Sequence, residues 1–240
     1  MNIGLIGYGK MGKAIEEIAL ERGHQIVFKA DSEHPISTEV IATADVAIEF
    51  SVPELAVKHI QMAADANTPI VVGTTGWNSS LEEVEGYVKE HTGSLIHASN
   101  FSIGVNIFFE VNRKLAQLLS EHPEYQAFIT ETHHLQKLDS PSGTAISLAN
   151  EILNNNDSYL SWVSGEGTPP HVNSNQLGVT AIRLPGVPGT HTVKYQSEID
   201  SITITHEAHN RKGFALGAVI AAEWILNKQG VFTMKDVLNN

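Results

Sequence analysis

Cysteine is absent from the 240-residue sequence, and basic residues are scarce. Without cysteine there can be no disulfide, thiolate nucleophile, thiolate zinc site or cysteine-ligated iron–sulfur cluster. The 15 Lys and Arg stand against 27 Asp and Glu, which gives a formal net charge of -12 at pH 7. A nucleic-acid binder has to supply cations to the phosphate backbone, and this balance argues against that class.

Long apolar runs are also missing. No stretch reaches about 18 consecutive apolar residues, the minimum for a membrane span. The first residues lack the basic and apolar regions of a secretory signal, so we expect a cytoplasmic protein with no membrane partner. Hydrophobic residues make up 42% of the chain and charged residues 18%, which is typical of folded globular proteins.

Short apolar runs alternate with helical patterns over the first hundred residues. The predicted strands cover 3–6, 25–30, 46–50, 70–72 and 94–98. The predicted helices between them cover 12–21, 53–66 and 81–90. Strands that are apolar on both faces and joined by crossovers form parallel sheets covered by helices. The sequence therefore predicts an α/β fold whose first domain, residues 1–102, holds a Rossmann-type doubly wound parallel sheet.

The pattern changes after residue 102. Helices are predicted at 105–119 and 142–154, and strands at 126–131, 179–184 and 190–205. Alternating strands with one covered face indicate an open, mixed or antiparallel sheet, so residues 103–213 are predicted to form a second, α+β domain. The apolar segment 214–226 predicts a buried helix, and residues 214–240 are expected to complete the first domain.

A glycine-rich turn follows the first predicted strand and opens the first helix. It reads Gly7, Tyr8, Gly9, Lys10, Met11, Gly12. Glycines at these positions allow a tight turn and a close approach of backbone to a pyrophosphate at the helix N-terminus, which indicates dinucleotide binding. A tight turn without a ligand is the alternative. Asp31, at the end of the second strand, is placed to bind an adenosine ribose or is a polar turn residue.

The choice between NADH and NADPH stays open at this point. Asp31 favours the ribose hydroxyls of NAD, whereas Lys10 and Lys29 could bind the 2′-phosphate of NADP. Two further loops follow predicted strands and should face the same crevice, because ligands bind beyond the carboxyl ends of parallel strands. These loops contain Gly73, Thr74 and Thr75, and Ala98, Ser99, Asn100 and Phe101.

The densest polar cluster lies at 131–144 in the second domain. Histidine exchanges protons near neutral pH, lysine binds anions or donates a proton, and a Ser-Gly-Thr helix start offers N–H groups to a carboxylate. The cluster predicts a pocket for a small polyanion, formed by His133, His134, Lys137, Ser142, Gly143 and Thr144. Taken singly, each histidine is a hydrogen-bonding residue, and Ser142 or Thr144 is a helix N-cap. No metal is expected, because the segment 206–209 lacks the H-E-x-x-H spacing.

Six segments of the chain resemble, in order, motifs of the dihydrodipicolinate reductase family. They read GYGKMG, EFSVPE, GTTGW, ASNFSIGVN, ETHHLQKLDSPSGTA and THEAHNRKGFALGA. The fifth is the most specific, since it matches the family signature E-A-H-H-x-x-K-x-D-A-P-S-G-T. The resemblance runs from Gly7 to the C-terminus. It implies NADH- or NADPH-dependent reduction of 4-hydroxy-tetrahydrodipicolinate to tetrahydrodipicolinate in lysine and diaminopimelate biosynthesis.

The same resemblance implies roles for individual residues. His133 matches the proton donor or acceptor and Lys137 the proton donor that accompany hydride transfer to C4 of the ring. His134 matches a substrate-binding histidine, and Gly143 and Thr144, with Ser142 beside them, match the substrate-carboxylate site. The glycine-rich turn, Asp31 and the loops 73–75 and 98–101 match the nucleotide site. A homotetramer joined through the second-domain sheets is also implied.

Some positions depart from the family pattern. Ser32 stands where many members have an arginine, which weakens the case for NADP. Thr132, Gln136 and Thr190 replace an alanine, a frequent basic residue and a glutamate, which puts pH dependence and carboxylate affinity in doubt. An aspartate semialdehyde dehydrogenase is excluded by the missing cysteine nucleophile. A catalytically silent dinucleotide-binding sensor or scaffold is the alternative from another class.

Overall fold

The computed structural model describes residues 1–34, 36–210 and 212–239. Arg211, which is part of the last matching motif, and Asn240, which ends the predicted C-terminal segment, lie outside them. The chain divides into two compact units, Met1–Asn106 with Lys212–Asn240, and Ile107–Arg211. No described helix is long and apolar enough to cross a membrane.

The first unit is built on parallel strands. They are β1 (Asn2–Ile6), β2 (Gln25–Ala30), β3 (Val46–Glu49), β4 (Ile70–Val72), β5 (Ser94–His97) and β11 (Gly230–Phe232). Its helices are α1 (Lys10–Glu21), α2 (Thr38–Ile41), α3 (Pro53–Asp65), α4 (Leu81–Glu90), α7 (Lys212–Ile225) and α8 (Met234–Leu238). Within the described residues, six strands pair in the order β11-β5-β4-β3-β1-β2, all parallel.

Both faces of this sheet are buried because successive side chains of a strand point to opposite sides. Ile3, Leu5 and Ile48 pack on one face with residues of α1 and α7. Ile6 and Ile70 pack on the other face with residues of α3 and α4. The continuous apolar character of these strands therefore follows from helices on both sides of the sheet.

The second unit combines two helices with a mixed sheet. Its strands are β6 (Gln126–His133), β7 (Ser161–Glu166), β8 (Gln176–Arg183), β9 (Gly189–Gln196) and β10 (Ser201–Ala208). Its helices are most of α5 (Ile103–Leu119) and α6 (Gly143–Asn155). In this part of the chain five strands pair in the order β10-β9-β6-β8-β7. The first two pairings are antiparallel and the last two are parallel.

The predicted fold class is confirmed, and several predicted elements are wrong in detail. The alternating segment 190–205 is two strands of a hairpin, β9 and β10, because the polar turn 197–200 interrupts it. The strand predicted at 126–131 continues to His133. The short elements α2, β7, β11 and α8 are not predicted from the sequence, since each is three to six residues long and carries little periodicity.

Gly217 allows α7 to pack closely in the first unit. A Cβ atom on Gly217 would lie 1.7 Å from the backbone oxygen of Phe101, whereas one on Gly86, in α4, would meet nothing within 4 Å. We expect Gly217→Ala to lower the free energy of unfolding by about 1–3 kcal/mol or more through overpacking. Gly86→Ala is expected to raise it by about 0.5–1 kcal/mol through helix propensity. Urea unfolding of both variants checks this pair, and equal effects would contradict it.

Candidate active site

The loops predicted to bind the cofactor meet at one edge of the first sheet. Four backbone hydrogen bonds, one from each loop, join these loops to the carboxyl end of a neighbouring strand. They run from Gly7 N to Ala30 O (2.9 Å), Phe50 N to Ile6 O (2.8 Å), Gly73 N to Glu49 O (2.9 Å) and Ala98 N to Val72 O (3.2 Å). The parallel sheet thus brings segments far apart in sequence to the edge where such folds bind ligands.

The three glycines of the first turn differ in what a side chain at each position would meet. Gly7 has a φ of +92°, and a Cβ there would lie 2.1 Å from the backbone oxygen of Phe50. A Cβ on Gly12 would lie 2.4 Å from the oxygen of Gly7. A Cβ on Gly9 would meet nothing within 4 Å, and Gly9 caps α1 without a side-chain hydrogen bond. Open space beside a helix N-terminus suits a pyrophosphate, so this turn fits a dinucleotide.

A cavity of about 560 Å³ adjoins this turn within the first unit. It is lined by Ile6, Gly7, Tyr8, Gly9, Ala30, Asp31, Ser32, Ile36, Phe50, Ser51, Val52, Leu55, Lys58, His59 and Met62. Its mixed apolar and polar lining, with Asp31 and Ser32 at the end of β2, fits an adenosine. Residues 73–75 and 98–101 are not among the described residues that line this cavity.

Asp31 and Lys29 each have partners within the first unit. Oδ1 of Asp31 accepts hydrogen bonds from the backbone N of Glu33 (3.0 Å) and of His34 (2.9 Å), and is 3.0 Å from His34 Nδ1. The hydrogen bond from the His34 side chain lowers the pKa of Asp31. Lys29 lies 2.6 Å from Glu16 and 3.2 Å from the Tyr8 hydroxyl, so its charge is already paired.

The other two predicted loops are held mainly by their own side chains. Thr74 Oγ1 accepts a hydrogen bond from Ser51 N (2.8 Å), and the Trp77 indole donates to Thr74 O (2.8 Å). Asn100 Oδ1 accepts a hydrogen bond from Ser102 N (2.8 Å). Phe101, Ala98 and Met11 pack into the core, whereas Lys10, Thr75 and Ser99 are exposed.

The alternation of β6 delivers polar residues into the covered face of the second sheet. Residues Ala127, Ile129, Glu131 and His133 are all buried and share one face. The face starts apolar, under α5 and α6, and becomes polar where β6 ends. His191 of β9 pairs directly with Glu131. These neighbours form a polar layer, defined here as the buried Glu131, His133 and His191 together with the half-buried Arg183.

Glu131 is the centre of this polar layer. Its Oε2 accepts a hydrogen bond from Nδ1 of His133, and its Oε1 accepts from Arg183 Nη1 (3.0 Å) and from Ser142 N (3.2 Å). Burial alone would raise the pKa of Glu131, but the hydrogen bonds from His133 and Arg183 outweigh it, so the pKa is lowered. The carboxyl group is therefore an anion with both oxygens used.

The remaining predicted residues of the cluster connect to this layer. Lys137 Nζ lies 2.8 Å and 2.9 Å from the two carboxylate oxygens of Asp139, and Arg183 Nη2 donates to Asp139 O (2.7 Å). Ser142 is the N-cap of α6, because its Oγ accepts a hydrogen bond from Ala145 N (3.2 Å). Gly143 and Thr144 start the helix, and a Cβ on Gly143 would meet nothing within 4 Å.

His134 is not brought into the same layer. Its ring lines a cavity of about 470 Å³ with Leu135, Gln136, Pro185, Gly186, Val187, Pro188 and Asn210. Its Nδ1 is buried and has no hydrogen-bond partner among the described residues. The two adjacent histidines therefore have different surroundings, and the role predicted for His134 stays a prediction.

Three residues of the layer also belong to the types that bind metals. Ligand atoms of Glu131, His133 and His191 lie within 4.8 Å of one another. Here one Glu131 oxygen already accepts from the guanidinium of Arg183, and Ser142 Oγ lies 3.0 Å from His191 Nε2. A metal ion would have to displace these partners beside an existing cation. The expectation that no metal is bound stays a prediction.

Burial of His191 makes stability depend on pH. Burial lowers the pKa of His191 to about 3, and the neighbouring His133 adds to this. Below about pH 6.5 the imidazole of His191 is protonated in the unfolded chain but stays neutral in the folded protein. The free energy of unfolding is therefore highest above about pH 6.5 and decreases progressively towards pH 3. We expect His191→Gln to make this decline shallower by up to about 1.4 kcal/mol per pH unit between pH 6.5 and 5.

Urea unfolding at several pH values measures this slope. His122→Gln is the matched control, since His122 is exposed and its ring pairs with the exposed Glu124. An unchanged slope in His191→Gln would refute the assignment.

The sequence alone does not identify Arg183, Gly189 or His191 as site residues. It includes Glu131 only as part of a motif. A Cβ on Gly189 would lie 2.9 Å from His133 Nε2, so this glycine makes room for the imidazole. The alternation A-F-I-T-E-T-H over 127–133 is the available signal for Glu131. Arg183 and His191 depend on strand register, which the sequence does not display.

Comparisons with known proteins agree with each other. Residues 1–101 match the family model described as dihydrodipicolinate reductase, N-terminus, and residues 104–238 match the one for its C-terminus. A 4-hydroxy-tetrahydrodipicolinate reductase of Christiangramia forsetii is 49% identical over 100% of this chain and 98% of its own length. One from Thermosipho africanus is 33% identical over 99% and 98%.

A solved structure shares the fold. It is a dipicolinate-bound dihydrodipicolinate reductase from Paenisporosarcina sp. TG-14, with a TM-score of 0.76, 23% identity and 97% of each chain covered. Both halves of the chain thus match one family in sequence, and the whole chain matches it in fold. The chain belongs to the dihydrodipicolinate reductase family.

Proposed function

We propose that this protein catalyses the NAD(P)H-dependent reduction of 4-hydroxy-tetrahydrodipicolinate to tetrahydrodipicolinate in lysine and diaminopimelate biosynthesis. Membership of the family supports the reaction. The observation that carries the proposal is the buried Glu131–His133 pair, which lies beside the N-terminus of α6 and close in sequence to Lys137. A proton donor, a cation and a helix N-terminus are what reduction of an anionic ring requires.

The two predicted domains divide the work. Residues 1–102 with 214–240 hold the dinucleotide through the glycine-rich turn, Asp31 and the loops 73–75 and 98–101. The open space at Gly9 and the cavity beside Asp31 support this assignment. The C4 hydroxyl and a hydrogen of the adjacent carbon first leave as water, which gives the conjugated double bond of dihydrodipicolinate. When bound, the reduced nicotinamide would supply a hydride to C4 of this ring. Residues 103–213 bind the substrate.

The residues of the second domain bind and protonate the substrate. His133, assisted by Lys137, delivers a proton to the carbon next to C4, because its Nδ1 is held by Glu131 and its Nε2 has no partner among the described residues. The N–H groups of Gly143 and Thr144 bind carboxylate oxygens at the start of α6, where the helix dipole favours an anion, and Ser142 beside them caps the helix. His134 and Lys137 supply further contacts to the dicarboxylate.

NADH is the preferred cofactor in this proposal. A 2′-phosphate would need a cation near the end of β2, and Lys29, the lysine of that strand, is already paired with Glu16. Ser32 takes the place of an arginine found in many family members. Asp31 offers its carboxylate, whose pKa is lowered, to the ribose hydroxyls.

The assembly and the compartment are also part of the proposal. A cytoplasmic homotetramer would form through the second-domain sheets. The support is that β10 is an outer strand whose face formed by Ser201, Thr203, Thr205 and Glu207 is exposed. Light scattering behind a sizing column should give the mass of four chains, and the mass of one chain would contradict the assembly.

A synthase-coupled assay tests the reaction. The substrate is made from pyruvate and aspartate semialdehyde by a synthase, this protein is added, and nicotinamide absorbance is followed with NADH and with NADPH. We expect oxidation that depends on the synthase and is faster with NADH. Nucleotide binding without oxidation of either cofactor would favour a catalytically silent sensor instead.

A further inference from the structure

Glu131 contacts more of the proposed substrate site than His133 alone. Its carboxyl group is fully buried, although burying a carboxylate is costly unless it is paired and hydrogen-bonded. All three of its hydrogen-bond donors belong to, or hold, parts of the proposed substrate site. We therefore expect the buried Glu131 carboxylate to affect the geometry of the substrate site more than the packing of the core.

The three donors reach three parts of the site. His133 donates from Nδ1 to Oε2, and Ser142 N donates to Oε1 at the start of α6 (3.2 Å). Arg183 donates to Oε1 (3.0 Å) and, through Nη2, to the backbone oxygen of Asp139 (2.7 Å). Asp139 in turn holds Lys137 (2.8 Å). One carboxylate thus fixes the imidazole, the helix start and the lysine loop relative to one another.

The contact with His133 also selects a tautomer. A carboxylate only accepts hydrogen bonds, so the neutral ring beside it carries its proton on Nδ1 and leaves Nε2 as the atom that gains and gives a proton. Nε2 is at the side of the ring where Gly189 leaves room, since a Cβ on that residue would be 2.9 Å away.

We propose that Glu131 is the positioning residue of the site: it holds the Nδ1 proton of His133, so that Nε2 delivers the proton, and it ties the helix start to the lysine loop. This rests on the proposed reductase function. Glu131 itself does not touch the substrate.

The variant Glu131→Gln separates this role from simple packing. Two donors, Ser142 N and Arg183 Nη1, face Oε1, so the amide oxygen of glutamine takes that place and its NH₂ faces His133. Nδ1 then has to accept, and the proton of the neutral ring moves to Nε2. A ring in this tautomer cannot gain a proton at Nε2. In the His–carboxylate pair of a serine protease, the wrong tautomer lowers kcat by about 10⁴-fold.

We expect kcat of Glu131→Gln to fall at least about 100-fold, with KM and the NADH dissociation constant changed less than about threefold. Glu124→Gln is the matched control, because Glu124 also lies two residues from a histidine, His122, but the pair is exposed. It should keep the parent kcat. A kcat of Glu131→Gln within twofold of the parent, in a folded variant, would overturn the proposal.

The tautomer is measured directly by long-range ¹H–¹⁵N correlation spectra of the neutral rings, with the His133 signal identified by its loss in His133→Asn. We expect Nδ1–H in the parent and Nε2–H in Glu131→Gln. An Nε2–H parent ring would overturn the proposal even if the variant did not fold. If the parent failed the synthase-coupled assay, the reductase function would fall, and the spectra would still decide whether Glu131 sets the tautomer.

Discussion

Replacing His133 with asparagine lowers kcat in the coupled assay by about 10²–10⁴-fold, the range for loss of a general acid. Asparagine lacks a group that exchanges protons near neutral pH, so the carbon next to C4 has to take its proton from water or Lys137. The dissociation constant of NADH should stay within about twofold, because the glycine-rich turn and the adenosine cavity belong to the first unit. Steady-state kinetics and fluorescence titration of NADH measure the two quantities.

His122→Asn is the control for this substitution. His122 is an exposed histidine of the same unit whose side chain pairs with the exposed Glu124, so its replacement should leave kcat unchanged. A folded His133→Asn protein with unchanged turnover would remove His133 from the mechanism. A parallel rise in the NADH dissociation constant would mean that the substitution acts on cofactor binding instead.

Replacing Gly9 with alanine weakens NADH binding by about 100-fold, or about 2.7 kcal/mol, and leaves the free energy of unfolding within about 1 kcal/mol. In the protein alone a Cβ at this position meets nothing within 4 Å, so the fold has no reason to oppose it. The same Cβ occupies the space at the N-terminus of α1 where a pyrophosphate would approach the backbone. The combination of lost affinity and retained stability is the signature of a ligand site.

Gly86→Ala is the matched control for this result. It places the same extra methyl group at an exposed glycine of α4, and NADH affinity should not change. Titration of NADH and urea unfolding of both variants give the comparison. Unchanged NADH affinity in Gly9→Ala would show that the pyrophosphate does not bind at this turn.

Most strands and helices of the first unit could be predicted from the sequence. Its strands are buried on both faces, so their apolar runs are short and uninterrupted, and each is followed by a clear helical pattern. In the glycine-rich turn between β1 and α1, nearby backbone atoms exclude a side chain at Gly7 and Gly12, and a sequence motif can record such local requirements. Asp31 directly follows β2, as predicted, because the run that forms this strand ends at Ala30.

The second unit could be read less well because its contacts are distant in sequence. The pairing of β6 with β8 and β9 places Arg183 and His191 beside residues 131–133, about fifty to sixty residues away. Side-chain alternation along one strand predicts which residues share a face, but not which strands adjoin it. The hairpin β9–β10 was missed because its turn, residues 197–200, contains no glycine or proline to mark it.

The cluster at 131–144, predicted as one pocket, contains residues with different surroundings. Ser142 and His133 meet at Glu131, and Lys137 is tied to them through Asp139 and Arg183. His134 lies in a different cavity with the loop 185–188. Adjacent residues near the end of a strand point to opposite sides, which explains why closeness in sequence did not mean closeness in the site.

The most direct test of the account is to follow the hydrogen that is transferred. The synthase-coupled reaction is run with [4,4-²H₂]NADH, and the tetrahydrodipicolinate formed is analysed by mass spectrometry and NMR. The account predicts one deuterium per product molecule, located at C4, and almost none formed by the His133→Asn protein in the same time. NADH oxidation that leaves no deuterium at C4, or no product at all, would contradict it.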